Sequence, residues 1–254
     1  MKKLIGMIHL GSLPASPGNK LDLERLEENA LADLDSLEKA GFESAIVENI
    51  SDEPFRVDSM ELEAFAAYVA ILRTVVRKAR IEIGVSVQMN LWREMIAASS
   101  STGASFIRIA AFTEERICAE GRIGPVAAEA LRYRKAINST VRIAADVQVK
   151  HSFSVISESH SNYFVQMADR FADYLVITGS TTGNAIDMAY LSRMREVIRK
   201  PIWVGSGVSE ENVQDILRIA DGVIVGTSIK VDGQTTNQVD LDRASRLVKM
   251  ARDM

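Results

Sequence analysis

The chain has 254 residues and a formal net charge of -4, and its acidic and basic side chains nearly balance. No Lys/Arg run and no basic stripe with interleaved aromatic residues occurs, which argues against nucleic acid as a partner. Cys118 is the single cysteine, so an intramolecular disulfide is excluded and the composition suits a reducing cytoplasm. No apolar run reaches the roughly 18 residues that cross a bilayer. The length fits one (β/α)8 barrel, and we predict a single domain over residues 1–254.

Short β-rich runs alternate with helical patterns along the chain, which is typical of parallel βα units. The first helix carries an apolar stripe over residues 23–37 and ends at Gly41. Asp58 and Glu61 resemble a cap that opens a second helix, which runs to about Lys78. Eight strands, the number that a closed barrel needs, are predicted at 3–8, 44–48, 82–88, 105–110, 141–147, 174–178, 202–204 and 223–225.

The remaining helices are predicted over residues 92–101, 125–137, 159–171, 187–199, 210–219 and 240–252, with Asp187 and Ser209 as caps. Two long connections, residues 9–20 and 112–124, follow strands on the rim that carries the active site in barrels of this kind. Both are candidate lids.

Polar residues stand within or just after several apolar strands. Because both faces of a parallel strand are covered, such side chains enter the barrel mouth or pair with one another. Glu48 and Asp146 fit a general acid/base pair or ligands of Mg²⁺, Mn²⁺ or Zn²⁺. The competing interpretation is an internal salt-bridge network in which Arg108 and Lys150 neutralise the two carboxylates.

His9 ends the first strand, where its imidazole fits a proton shuttle or a metal ligand; the alternative is a hydrogen bond to loop backbone. Lys150 fits a Schiff-base lysine if burial lowers its pKa, and otherwise a contact to phosphate or carboxylate. Asn49, Asn90 and His151 complete the predicted polar ring. A divalent metal is compatible with these residue types, but the sequence contains no tight metal-ligand motif that would indicate one.

Two glycine-rich turns follow the last two predicted strands. Glycine lets backbone N–H groups approach an anion, and barrels often hold phosphate at these loops. A third turn follows the sixth strand, and Lys230 and Asp232 follow the last turn, where they would hold the anion or close the site. The alternative is ordinary βα turns with a serine cap. The predicted phosphate residues are Gly205, Ser206, Gly207, Gly226, Thr227, Ser228, Thr178, Gly179, Ser180 and Lys230.

Several motifs are spread over nearly the whole chain in a recognisable order. They lie at residues 6–10, 46–49, 131–134, 146–151, 176–183 and 226–233, for example Asp-Val-Gln-Val-Lys-His at 146–151. In these motifs the sequence resembles the BtpA/SgcQ family. The resemblance implies a TIM-barrel fold. For function it implies either a role in photosystem I biogenesis, from which the family takes its name, or the sugar-metabolism and nucleotide-hydrolase activities assigned to bacterial relatives.

The sequence thus predicts a barrel enzyme that binds a phosphorylated sugar or nucleotide-like molecule and performs isomerase, lyase or hydrolase chemistry. Glu48 and Asp146 would transfer protons or hold a metal. The alternative is a non-catalytic biogenesis or assembly factor that uses the barrel as a binding scaffold. We also predict a homo-oligomer, because closed barrels often pair through their outer helices.

Overall fold

A computed structural model describes residues 2–147, 152–155, 158–178 and 186–253. Its described strands include eight that form a closed parallel barrel, in which chain neighbours lie side by side and the last strand pairs with the first through Lys3 and Gly222. The barrel strands are β1 Lys3–His9, β2 Ser44–Glu48, β3 Glu82–Ser86, β4 Phe106–Ile109, β5 Arg142–Val147, β6 Tyr174–Ile177, β7 Ile202–Val204 and β8 Gly222–Val225. The predicted (β/α)8 fold is therefore confirmed.

A helix follows each barrel strand. Gly41 closes the first helix with a left-handed φ of 95°, as predicted, and Asp187 and Asp240 cap the helices that follow them. The helices are α1 Leu23–Ala40, α2 Leu62–Lys78, α3 Trp92–Thr102, α4 Ala127–Ala136, α5 Glu158–Phe171, α6 Met188–Val197, α7 Val213–Ile219 and α8 Leu241–Arg252. Within the described ranges, none of them is both long and apolar enough to cross a bilayer.

Two predicted caps were wrong. Helix α2 begins at Leu62 behind Glu61, which makes no side-chain cap bond, and the side chain of Asp58 instead accepts a hydrogen bond from Ser59. Helix α7 begins at Val213, and the Ser209 backbone N–H donates to Asn212 Oδ1 ahead of it. Before α7 the residues 210–212 form a turn, whereas before α2 the residues 59–61 are irregular.

A small antiparallel sheet stands on the barrel rim, and the sequence did not predict it. Its strands are Arg116–Cys118, Gly121–Ile123 and Ser152–Ser154, and we call it the rim sheet. It occupies most of the connection after β4 that was expected to be a lid loop. That connection is therefore an ordered hairpin joined to the chain that follows β5.

Apolar side chains fill the barrel interior below the rim. The Phe106 ring meets the Trp203 ring edge-on at 5.3 Å between centroids. Gly84 is required beside them, because a Cβ there would lie 2.3 Å from the Phe106 ring. This interior layer consists of Ile5, Met7, Ile46, Phe106, Ala144, Val176, Trp203 and Ile224. The middle of the barrel is therefore packed with apolar side chains.

A charged network lies at the opposite, amino-terminal end of the barrel. Glu82 accepts hydrogen bonds from Lys3 and from Arg142, and Arg142 also donates to the Tyr174 hydroxyl at 2.6 Å. Burial of Glu82 acts to raise its pKa, but the hydrogen bonds and charges of Lys3 and Arg142 outweigh it and lower the pKa below its ordinary value.

This network predicts a specific pH dependence of stability. A carboxylate whose pKa is lower in the folded state stabilises the fold above its unfolded pKa, and that contribution is lost as the pH falls through the folded pKa. We expect Glu82→Gln to remove this contribution, so that its unfolding free energy falls less steeply than that of the wild type between neutral pH and pH values below 4.5. Urea denaturation at a series of pH values in that range measures the unfolding free energies. An equal dependence of unfolding free energy on pH in the variant and the wild type would contradict the prediction.

Candidate active site

A cavity of about 910 Å³ opens at the carboxyl ends of the barrel strands. Inward-facing side chains of β1 to β5 form its floor, and the loops after β2, β3, β7 and β8 form its walls. Its lining includes eleven of the predicted site residues: His9, Glu48, Asn90, Arg108, Asp146, Gly205, Ser206, Gly207, Gly226, Thr227 and Ser228. The structure thus brings most of the sequence-predicted site into one place.

Glu48 is held rigidly at the cavity floor. Its Oε1 accepts hydrogen bonds from the Ser86 hydroxyl at 2.8 Å and from Gln88 Nε2 at 3.0 Å. Its Oε2 lies 3.6 Å from His9 Nε2, and both side chains are less than 8% exposed. One carboxylate oxygen is therefore fixed by Ser86 of β3 and by Gln88 just after it, while the other faces the imidazole. We call these two residues the His9–Glu48 dyad.

The other nitrogen of His9 defines the protonation of the ring. His9 Nδ1 lies 2.8 Å from the backbone carbonyl oxygen of Thr235. A carbonyl oxygen only accepts hydrogen bonds, so Nδ1 carries a proton. Nε2 is then the ring nitrogen that can gain or lose a proton, and it is the nitrogen that faces Glu48. The dyad is thus arranged for proton transfer at Nε2 and Oε2.

Asp146 and Arg108 form a bidentate ion pair on the same floor. Arg108 donates from Nε to Oδ1 and from Nη2 to Oδ2, each at 2.8 Å. Burial acts to lower the pKa of Arg108, but the charge and hydrogen bonds of Asp146, together with Glu48, raise it above its ordinary value. For Asp146 the predicted salt-bridge alternative with Arg108 is therefore what the structure contains, and its oxygens are engaged by a guanidinium.

Two turns, residues 205–207 and 226–228, form one wall, and we call them the glycine turns. A Cβ on Gly205 would lie 2.6 Å from Val176 Cγ1 and 3.2 Å from Arg108 Nη2, and a Cβ on Gly226 would lie 3.3 Å from His9 Cε1. The Ser228 hydroxyl donates to the Val208 carbonyl at 2.7 Å, which ties the two turns together. These contacts place glycine backbone directly beside the dyad and the ion pair.

The supporting residues differ in where they lie. Asn49 is buried behind the cavity, where it donates to Asp52 and accepts from the Gln88 backbone. Asn90 lines the cavity while bonding both backbone groups of Ala111. Thr178 is buried beside Gly205. Four further candidates lie outside the described residues: Lys150, His151, Gly179 and Ser180.

Lys230 is a predicted phosphate residue that the structure places away from the cavity. It is fully buried, and its Nζ donates to Asp33 on α1 at 2.7 Å. The ammonium group lies in the interface between α1 and the chain after β8. A buried charge requires a charged partner, and Asp33 is that partner. Lys230 therefore does not contact a ligand in the cavity.

Glu48 and Asp146 were also predicted as metal ligands. Within residues 2–147, 152–155, 158–178 and 186–253, no three His, Cys, Asp or Glu side chains come together as a metal site. The Arg108 guanidinium occupies the position that a cation would take beside Asp146. The described donor set therefore does not fit a bound divalent metal at this pair.

Sequence reasoning missed three groups of this site: Ser86, Gln88 and the Thr235 carbonyl. The period-two alternation of the predicted strand 82–88 could have found the first two, since Ser86 and Gln88 continue the series from Gly84. In the structure β3 ends at Ser86, and Gln88 lies in the turn that follows. A backbone carbonyl on a loop leaves no signal in side-chain patterns. Its role emerges only from the fold.

Comparison with solved structures gives the class first: this is a TIM barrel. The chain superposes on N-(5'-phosphoribosyl)anthranilate isomerase from Pyrococcus furiosus with a TM-score of 0.62 and 14% identity, covering 100% of both chains. For thiamine phosphate pyrophosphorylase from the same organism the TM-score is 0.60 at 13% identity, covering 99% of this chain and 96% of that one. At such low identity these similarities establish the fold alone.

The family follows from sequence. Residues 1–253 match the BtpA family, and the chain belongs to it. It is 36% identical to an uncharacterized protein of Thermococcus kodakarensis over 100% of this chain and 96% of that protein. It is 32% identical to the photosystem I biogenesis protein BtpA of Synechocystis sp. over 97% of this chain and 86% of that protein. The family resemblance inferred from the motifs is thereby confirmed.

Proposed function

We propose that this protein is an enzyme that performs acid/base chemistry on a phosphorylated small molecule bound in the barrel cavity. The observation that carries the proposal is the buried His9–Glu48 dyad, which faces the same cavity as the two glycine turns. A group that transfers protons and a backbone surface suited to an anion thus lie next to each other in one substrate-sized space.

The dyad supplies the proton transfer in this proposal. His9 Nε2 accepts a proton from the substrate and returns it at a second atom, while Glu48 stabilises the imidazolium that forms in between. Isomerisation and retro-aldol cleavage both use such a step. Positioned groups of this kind contribute rate factors of about 10²–10⁴.

The glycine turns supply the phosphate site. A short 3-10 turn, Thr227–Ile229, follows Gly226 at the end of β8, and phosphate in (β/α)8 enzymes is often bound by the loops after the last two strands and a short extra helix. Both fold relatives named above carry a phosphorylated compound in their names. The Ser228 hydroxyl proton is used by Val208, so we assign the anion to backbone N–H groups of these turns.

A second candidate function is an assembly factor, favoured by the name of the Synechocystis relative. In that role the cavity would be a structural remnant, and substitutions in it would leave function intact. The predicted homo-oligomer and cytoplasmic location fit either function and remain predictions.

Ligand-dependent thermal unfolding tests the phosphate site. We expect at least one sugar phosphate or nucleotide to raise the melting temperature of the wild type, since a ligand at 100 times its dissociation constant adds about 2.7 kcal/mol to stability. Gly226→Asp should abolish that shift, because the new carboxylate would repel the phosphate and its Cβ would crowd His9.

Gly124→Asp is the matched control, because it adds the same side chain where a Cβ meets nothing within 4 Å. It should retain the ligand-induced shift. Loss of the shift in both variants, or a shift that persists in Gly226→Asp, would contradict the placement of the phosphate. No shift with any phosphorylated compound would favour the assembly role.

A further inference from the structure

The chain between β8 and α8 forms a closed strap over the cavity wall. The strap comprises residues 230–239, and its two ends meet in an antiparallel bridge between Lys230 and Val239. The Val231 N–H donates to the Gln238 carbonyl at 2.9 Å, next to that bridge. The middle of the strap, around Thr235, therefore projects as a tip.

One carboxylate on α1 binds both ends of the strap. Asp33 Oδ2 accepts from Lys230 Nζ at 2.7 Å, and Asp33 Oδ1 accepts from the Val239 backbone N–H at 2.7 Å. Both side chains of the ion pair are almost completely buried, at 4% and 0% exposure. The two ends of the strap are thus fixed to the same point of the barrel shell.

The tip of the strap contacts the active site at two places. The Thr235 carbonyl accepts a hydrogen bond from His9 Nδ1, and the Thr235 and Thr227 hydroxyl oxygens share a hydrogen bond of 2.9 Å. The contact to His9 joins the strap to the dyad directly, and the contact to Thr227 joins it to the second glycine turn.

A buried ion pair rarely adds net stability compared with apolar residues of similar size. Burial lowers the pKa of Lys230 and raises that of Asp33, in each case against the charge of the other partner. The geometry suggests another role for the pair. Asp33 makes directional hydrogen bonds to both ends of the strap, and apolar side chains make no such bonds.

We propose that Asp33 and Lys230 are positioning residues, which hold the strap so that the Thr235 carbonyl keeps the proton of His9 on Nδ1. This leaves Nε2 as the nitrogen that exchanges protons with Glu48 and substrate. The role of this tautomer in catalysis rests on the proposed function, whereas the effect of the strap on the tautomer does not. Neither residue contacts the cavity, so both act through the strap.

Nitrogen-15 NMR of the histidine rings tests the proposal. The chain has three histidines, and the His9 signals are assigned by their loss in His9→Gln. At a pH above the ordinary histidine value of about 6.5, we expect Nδ1 of His9 to be protonated in the wild type. In Asp33→Asn/Lys230→Met, we expect a loss of that proton from a measurable fraction of molecules and the appearance of the Nε2–H tautomer.

The double variant leaves no lone buried charge and keeps an oxygen for the Val239 N–H. If it does not fold, Val239→Pro removes the backbone bond to Asp33 while leaving the ion pair in place, and should shift the tautomer in the same direction. Leu72→Ala on α2, which is fully buried, destabilises the fold away from the strap and should leave the His9 signals unchanged.

An unprotonated Nδ1 in the wild type would overturn the proposal, and so would wild-type His9 signals in the folded double variant. Binding of phosphorylated compounds is measured separately. A tautomer shift in the variant without ligand binding by the wild type would support the positioning role and count against the proposed enzyme. Ligand binding by the wild type with no tautomer shift in the variant would support the proposed enzyme and count against the positioning role.

Discussion

Glu48→Gln and His9→Gln are each expected to lower kcat about 10²–10⁴-fold on the phosphorylated substrate that the thermal screen identifies. Glutamine is isosteric with Glu48, and in place of His9 it puts an amide group near the position of Nε2, but in neither place can it exchange a proton. Because the two groups act as a unit across 3.6 Å, the double variant should be little worse than the poorer single variant. Steady-state kinetics of all three variants measures the effect.

Glu53→Gln is the matched control for Glu48→Gln. Glu53 also borders the cavity, but it is exposed and lies in the loop after β2. Its replacement should keep kcat near that of the wild type. Equal losses in both variants would assign the effect to the charge of the cavity, and retention of activity in Glu48→Gln would remove the dyad from the mechanism.

Lys230→Met should destabilise the protein by about 3–5 kcal/mol, because it leaves the Asp33 carboxylate buried without its partner. Asp33→Asn/Lys230→Met should recover most of that loss, since no lone charge remains and the Val239 N–H keeps an acceptor. Chemical denaturation of the wild type and both variants gives the three free energies of unfolding.

Lys39→Met controls for the residue type. Lys39 also donates to a carboxylate at 2.7 Å, that of Asp35, but its side chain is 57% exposed. Surface pairs contribute about 0–1 kcal/mol, so this variant should stay close to the wild type. Similar losses in Lys39→Met and Lys230→Met, or a double variant no more stable than Lys230→Met, would contradict the account of the buried pair.

The barrel could be predicted because each strand is a short apolar run. Strands 44–48 and 202–204 have the predicted bounds, and β3 is shorter than predicted because the chain turns after Ser86. The rim sheet could not be predicted in this way. Its strands are three residues long, and Arg116 pairs with Ser154, a partner that no local pattern indicates.

The site was predicted in location but not in pairing. Strand ends indicated that His9, Glu48 and Asp146 would share a rim, and they line one cavity. The sequence offered Glu48 and Asp146 as one acid/base pair, with a salt bridge to Arg108 as the alternative. The structure contains that alternative for Asp146 and pairs Glu48 with His9, which the sequence did not indicate. Which strand ends lie next to each other depends on register and on side-chain reach, and neither can be read from a single sequence.

Lys230 was expected at the phosphate because it follows a glycine turn. The better signal lay on α1, where Asp33 stands within the buried stripe formed by Ala30, Leu34 and Leu37. A carboxylate on the apolar face of a helix requires a buried partner. That requirement identifies a missing cation, although only the fold shows that Lys230 supplies it.

Phosphorus-31 NMR of phosphorylated sugars and nucleotides, incubated with the wild type and with Glu48→Gln, tests the central claim most directly. Isomerisation, cleavage and hydrolysis all change the surroundings of the phosphorus atom, so the measurement needs no prior choice of reaction. We predict that at least one compound is converted by the wild type and not by folded Glu48→Gln. Conversion by both proteins alike, or no conversion by a wild type that binds these compounds, would contradict it.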